Sequence, residues 1–277
     1  MPLINDCADL LERVRERGPL VHHLTNYVTV NDCANATLAI GGSPIMATAI
    51  EEAGEIAAIA SAVVLNIGTL SQDIVASMLA AGKSANARGV PVVLDPVGAG
   101  ASAYRSRTTA RILEQVKVDV VRGNISEIRA ANGLAAHTKG VDAGQDDQDA
   151  DAGLVAADLA RKAGCVVVVT GARDVISDGG ATLVVGNGVE MLSKISGTGC
   201  MCTSLVGAFV GAEPGRALVG AAAAILCMGI AGEIAFEKSG RAGLGSYRQA
   251  VIDALSLMDG ETLARKGIIG EAAASLQ

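Results

Sequence analysis

Short apolar runs, each about a strand long, alternate with longer helix-like segments through most of this sequence. The runs are residues 20–24, 44–46, 62–67, 91–94, 118–121 and 165–169. Val166 to Val169 is four valines in a row, and such a run has no polar face to offer to water. A strand of that kind needs cover on both sides, which is the condition of a parallel sheet between two layers of helices. The intervening segments carry helix signals. Residues 2–17 place Leu3, Cys7, Leu10, Leu11 and Val14 on one face, and Gly18-Pro19 stops them. Asn31 or Asp32 is a cap for a helix through residue 39, Ser71 for one through 88, and Asn124 for a third. Residues 49–60, 103–115 and a stretch ending near 163 also read as helix.

This order predicts an α/β fold: one three-layer domain over residues 1–277, with a mostly parallel central sheet flanked by helices. No linker-like stretch divides it. Residues 175–185, turned at Asp178-Gly179-Gly180, predict an antiparallel hairpin. Residues 201–211, 214–237 and 244–258 predict helices. Residues 138–151 predict a solvated acidic loop, lacking the glutamate that closes a calcium loop.

Composition narrows the function. With five aromatic residues, no Trp and a formal charge of −7, the chain is a poor nucleic-acid binder. Six cysteines include no Cys-x-x-Cys pair, and a core of this size needs no disulfide, which points to reduced thiols and the cytoplasm. No secretory pattern opens the sequence. The uncharged run 217–232 is shorter than the ~20 residues of a membrane span, so a buried helix is expected and no membrane partner.

In a parallel sheet, ligands bind beyond the carboxyl ends of the strands. The polar residues predicted there are Asn26, Asn66 with Gly68, Asp95, Arg122 with Asn124, and Thr170 with Gly171, together with Met46. A second feature joins them. Ile195-Ser196-Gly197-Thr198-Gly199-Cys200 is a polar, glycine-broken turn running into an apolar helix. The first N–H groups of a helix lack partners and carry its positive end, and glycines let a bulky anion approach them. Asp95 and Glu127 offer two carboxylates for magnesium, although Asn124 and Glu127 also fit a capping box. Phosphoryl transfer needs mainly positioning and charge neutralisation, which this set supplies. Two other motifs fail. Gly82-Lys83-Ser84 lacks the P-loop glycine at 77, and Gly98 to Ala103 is separated from its strand by Asp95-Pro96, against a dinucleotide fingerprint.

From residue 19 to about 257 the chain resembles the hydroxyethylthiazole kinases of the ribokinase-like superfamily. The likeness is carried by Leu20-Val21-His22-His23-Leu24-Thr25-Asn26-Tyr27-Val28-Thr29, by Asn31-Asp32-Cys33-Ala34-Asn35 and by Ser43-Pro44-Ile45-Met46-Ala47. It continues in Leu94-Asp95-Pro96-Val97-Gly98-Ala99, Val121 to Glu127, Val169-Thr170-Gly171-Ala172 and Gly197-Thr198-Gly199-Cys200. The resemblance implies ATP-dependent phosphorylation of the primary alcohol of hydroxyethylthiazole, in salvage toward thiamine. It implies that Met46, Gly197, Asn26 and Val28 hold the thiazole, and that Arg122, Thr170 and Asn124 hold ATP. Glu127 and Asp95 would serve magnesium, and Gly197, Gly199 and Cys200 the transfer itself. It also implies a homotrimer with sites between subunits, which would bring Asn66 and Gly68 toward a neighbour's ligand. Sugar kinases of the superfamily have aspartate where this chain has Cys200. The thiol, its pKa lowered by the helix N-terminus, is expected to orient the substrate hydroxyl rather than act as an indispensable base. His23 departs from the pattern, which often has cysteine there.

Two other readings stand beside this one. A related kinase acting on hydroxymethylpyrimidine or a sugar is opposed by Cys200 and the Asn26–Met46 block. A non-catalytic thiazole- or nucleotide-binding protein is opposed by the joint presence of Glu127, Asp95, Arg122 and the glycine turn.

Overall fold

Val167 and Val169 pack on one side of the sheet, while Val166 and Val168 pack on the other, so the all-valine run is covered on both faces. The same split holds in the third strand, where Ala62 and Val64 face one way and Val63 and Leu65 the other. Side chains alternate along a strand, so a sheet inside two helical layers needs apolar residues in both registers.

A computed structural model describes residues 2–134 and 145–272. The elements are α1 (Pro2–Arg17), β1 (Leu20–Leu24), α2 (Val30–Ile40), β2 (Ser43–Ile45), α3 (Ile50–Ile59), β3 (Ala62–Asn66), α4 (Gln72–Arg88) and β4 (Val92–Asp95). Next come α5 (Ala103–Gln115), β5 (Val120–Asn124), α6 (Ile125–Ala131), α7 (Gln145–Ala163), β6 (Val166–Thr170), β7 (Asp174–Ser177) and β8 (Thr182–Val185). The chain closes with α8 (Thr198–Ala212), α9 (Ala217–Ser239), α10 (Leu244–Ser256), α11 (Gly260–Lys266) and β9 (Ile269–Glu271). The nine strands lie in the order β2-β1-β3-β4-β5-β6-β7-β8-β9. Pairing is parallel from β2 through β6 and antiparallel from β6 through β9.

One apolar layer joins the sheet to α1, α2, α8, α9 and α10. The other joins it to α3, α4, α5, α6 and α7. Register decides what meets at the carboxyl edge. Asn66 lies opposite Asp95, and Asn124 lies opposite Thr170.

The structure departs from the sequence reading in several places. Of the expected acidic loop, residues 138–144 lie outside the described residues, while 145–151 form the first turns of α7. Thr29, not Asn31 or Asp32, precedes α2, and Asp32 instead pairs with Arg248 from α10. Strand β5 runs on to Asn124, so Arg122 is a strand residue. Helix α11 and edge strand β9 were not foreseen, being too short to show a period. Helix α9 extends to Ser239 and is long and apolar enough to cross a membrane, against the length argument. Its most apolar window is 72% buried inside the fold, which explains the composition instead.

His23 shows how costly one buried ionisable group is. It is fully buried, its Nε2 sits 3.2 Å from Thr37 Oγ1, and burial pushes its pKa down from 6.5 to about 3. The unfolded chain therefore binds a proton below pH 6.5 that the folded chain refuses until about pH 3, so stability falls as pH drops through that window. Relative to its value at pH 7, the His23 contribution should fall by about 2 kcal/mol at pH 5. Urea unfolding of the parent and of His23→Cys at both pH values checks this. A difference between the two proteins that does not move with pH goes against it.

Candidate active site

The turn before α8 has the backbone needed to receive an anion. Gly197 caps the helix in the left-handed region at φ 97°, where a side chain would also strike Thr29 Cγ2 at 2.7 Å. The first helical hydrogen bond runs from Met201 N to Gly197 O at 2.8 Å. The N–H groups of Thr198, Gly199 and Cys200 thus precede the ladder and end the helix with its positive pole. A Cβ at Gly199 would lie 2.7 Å from Arg122 Nη1, so glycine is what lets the guanidinium come down onto this turn.

Two cavities meet there. One, of about 370 Å³, is lined by Asn26, Val28, Thr29, Gly68, Thr69, Asp95, Val97, Asn124, Glu127, Ser196, Gly197 and Cys200. The other, of about 540 Å³, is lined by Gly171, Asp174, Asn187 and Thr198 and by the apolar Val189, Leu192, Ile225 and Met228. Arg122, Thr170 and Gly199 line both.

Beneath the smaller cavity runs a connected polar floor. Asn26 Nδ2 donates to Asn66 Oδ1 at 3.0 Å and to Cys200 Sγ at 3.3 Å. Asn66 Nδ2 donates to Cys200 Sγ at 3.2 Å and to Asp95 Oδ2 at 2.9 Å. Thr203 Oγ1, one turn along α8, also donates to Asp95 Oδ2 at 2.8 Å. Asp95 Oδ1 is buried with no hydrogen-bond partner. Burial pushes the Asp95 carboxyl up to about 6, against the pull of Arg122 and its hydrogen bonds. Burial also works against the charge on Arg122, but the nearby carboxylates, Asp95 foremost, hold its pKa above the ordinary value.

Glu127 does cap its helix. Its Oε2 accepts from Asn124 N, and Asn124 Oδ1 accepts from Glu127 N. Oε1 accepts from Gly98 N at 2.8 Å. Each carboxylate oxygen has a second acceptor position, so capping leaves Glu127 able to hold a hydrated cation from the cavity wall. Among the described residues, no three His, Cys, Asp or Glu side chains gather into a metal cluster. Magnesium keeps several waters and needs few carboxylates, and the orphaned Asp95 oxygen in a cavity shared with Glu127 fits that demand.

One expectation is corrected. Burial, followed by the charge of Asp95, raises the Cys200 pKa and outweighs the hydrogen bonds it accepts, so the thiol is not made more acidic by the helix. Asn66 is buried and bonded to Asn26, Asp95 and Cys200, and Gly68 lines the smaller cavity. Met46 follows edge strand β2, is half-buried and lines neither cavity. The remaining predicted residues, Asn26, Val28, Asp95, Arg122, Asn124, Glu127, Thr170, Gly197, Gly199 and Cys200, line the smaller cavity together. His23 is in the core and lines neither. Sequence reasoning missed Thr203, Asp174 and Thr29. For Thr203 a signal existed, since it stands one helical turn after Cys200 and Gly199.

The comparisons with known proteins agree with this geometry. A profile of the hydroxyethylthiazole kinase family matches residues 11–261. A hydroxyethylthiazole kinase of Clostridium beijerinckii is 52% identical over 267 residues, covering 95% of this chain and 96% of that one. The solved structure of the hydroxyethylthiazole kinase protein from Pyrococcus horikoshii superposes with a TM-score of 0.88 at 40% identity, covering 99% of this chain and 100% of the other. A ribokinase-like superfamily protein of Enterococcus faecalis, 12% identical with a TM-score of 0.63, shares the fold alone. The chain belongs to the hydroxyethylthiazole kinase family.

Proposed function

We propose that this chain transfers the γ-phosphoryl group of ATP to the primary hydroxyl of hydroxyethylthiazole, a salvage step toward thiamine. The observation that carries the proposal is the meeting of two cavities at a helix N-terminus and a half-buried arginine, Arg122. The alcohol occupies the smaller cavity, with its hydroxyl at Cys200, against Asn26, Val28 and Gly197. The nucleotide occupies the larger one, with its phosphates toward Arg122, Thr170 and Asn124 and its base toward Val189, Leu192 and Met228. The phosphoryl group then crosses at the amides of 198–200. Asp95 and Glu127 would hold magnesium, which when bound neutralises phosphate charge. The site reading is supported by the orphaned Asp95 oxygen and by the convergence of Arg122 on Gly199.

Cys200 is held as an acceptor by two amide donors, and its pKa is raised. A protonated thiol is a weak base, and a loose transition state needs little early proton removal. Cys200→Ser should therefore keep turnover within about tenfold of the parent, less than the ~10²–10⁴-fold of a positioned general base. Cys200→Asp should raise kcat, because a carboxylate beside Asp95 is a stronger base than this thiol. Complete inactivity of folded Cys200→Ser, or no gain in Cys200→Asp, contradicts this account.

The apolar rim at Tyr27 and Val28, 79% and 60% exposed beside the smaller cavity, supports a homotrimer in which a neighbouring subunit covers the thiazole. We place the enzyme in the cytoplasm, without nucleic-acid or membrane partners. A coupled ADP-release assay, with and without hydroxyethylthiazole, tests the proposal. Thiazole-dependent ADP formation is expected. Release that ignores the thiazole, or that answers better to hydroxymethylpyrimidine or a sugar, contradicts it.

A further inference from the structure

Arg105 stands in the first turn of α5, and no carboxylate pairs with it among the described residues. Its guanidinium is spent on three carbonyl oxygens. Nη1 donates to Ile67 O at 2.6 Å and Val97 O at 2.7 Å, and Nη2 donates to Gly68 O at 2.8 Å. Ile67 and Gly68 follow β3, whereas Val97 follows β4, so one side chain ties together two loops from separate strands. Gly68 and Val97 both line the smaller cavity, and Arg105 itself does not. The aliphatic stem lies over Gly98, where a Cβ would come within 3.2 Å of Arg105 Cδ. The amide of that same Gly98 holds Glu127 Oε1.

We infer that Arg105 is a positioning residue for phosphoryl transfer. It sets the spacing of the loops after β3 and β4, and through Gly98 it aims the Glu127 carboxylate at the cavity. The inference rests on the reading of Glu127 and Asp95 given above. A planar guanidinium with five fixed donors can bridge acceptors on two loops, whereas an ammonium on a flexible stem is a point charge that serves one cluster of acceptors. Such supporting contacts, which orient a metal-holding group without touching the metal, are worth about 10- to 100-fold in affinity or activity when removed.

The test uses Arg105→Met, which keeps the stem and removes the donors, and Arg105→Lys, which keeps the charge. Four quantities are compared with the parent: hydrogen exchange in the ligand-free protein, Mn²⁺ binding with ADP present by paramagnetic resonance, kcat and KM, and the melting temperature. In Arg105→Met, exchange should quicken in segments 66–69 and 96–100. Mn²⁺ binding and kcat should each drop by about 10- to 100-fold, with the KM for ATP changed less than about threefold, because none of the carbonyls that Arg105 holds belongs to the larger cavity. Arg105→Lys should recover part of both losses. A lower melting temperature with Mn²⁺ binding and kcat within twofold of the parent overturns the inference and leaves only a structural tie. If Arg105→Met does not fold, Arg105→Lys is read by the same criteria. Glu127→Gln is measured alongside. If it binds Mn²⁺ and turns over like the parent, the underlying site reading fails and the inference with it. If Glu127→Gln is impaired and the Arg105 variants are not, the inference alone fails.

Discussion

Arg122→Met should lower kcat by about 10²- to 10³-fold, the cost of removing one preorganised donor from a site of developing charge. Among the described residues the side chain is the one cation that lines both cavities. Thr170 Oγ1 accepts from its Nη2 at 2.7 Å, and the missing Cβ of Gly199 lets Nη1 approach the helix N-terminus. Its Nε is buried and has no partner, so the guanidinium is not fully satisfied by the protein alone. A phosphoryl group between the two cavities would meet the guanidinium through its Nη atoms, which lie at Gly199. Without Arg122, the positive helix end alone would face the transferred group, and Asp95 and Asp174 would lose the cation that holds down their pKa values. Steady-state kinetics with saturating ATP and thiazole measure the loss, and circular dichroism checks folding. A folded variant within about fivefold of the parent would remove Arg122 from the mechanism, given what one such donor is worth.

Asp95→Asn should separate activity from stability. Loss of the carboxylate takes away the charge available to a cation in the smaller cavity, and kcat should fall by about 10²-fold or more. Stability should move the other way. An acid whose folded pKa is raised contributes most below its unfolded value of 3.8, and that contribution is lost as pH rises through about 6. Removing it should relieve up to about 3 kcal/mol at pH 7. Asp174 and Glu127 still face Arg122 in the variant, so the guanidinium keeps counter-charges. Chemical unfolding at pH 4.5 and pH 7 tests this. The parent should gain on Asp95→Asn as the pH falls, and a variant that is both active and pH-invariant in its stability difference contradicts the account. His23 acts in the opposite sense over an overlapping window, so each variant is compared with the parent rather than read from the parent curve alone.

The reach of the sequence ended where long-range register began. The valine run 166–169, the cap at Ser71 and the hairpin turn at Asp178-Gly179-Gly180 were legible because each is local. The glycine turn was legible as a helix start for the same reason. That Asn66 would lie opposite Asp95 was not, since it follows from how β3 slides against β4. The direction of the Cys200 shift was missed likewise. Local reasoning saw a helix end that favours the thiolate, while the fold adds burial and a carboxylate from β4. In the sequence nothing sets Arg105 apart from Arg107 and Arg111 on the same helix, and only the tertiary structure brings it under two loops. Glu127 presented two local readings, a cap and a cation holder, and the structure shows that the first does not consume the acceptor positions needed by the second.

Crystals grown with Mg-ADP, aluminium fluoride and hydroxyethylthiazole offer the most direct view of where the phosphoryl group passes. The fluoride atoms should lie about 2.7–3.1 Å from the amide nitrogens of residues 198–200, with Arg122 beside them at Gly199 and the metal toward Asp95. A fluoride complex bound away from those amides, or amides turned inward to partners of their own, would contradict the account.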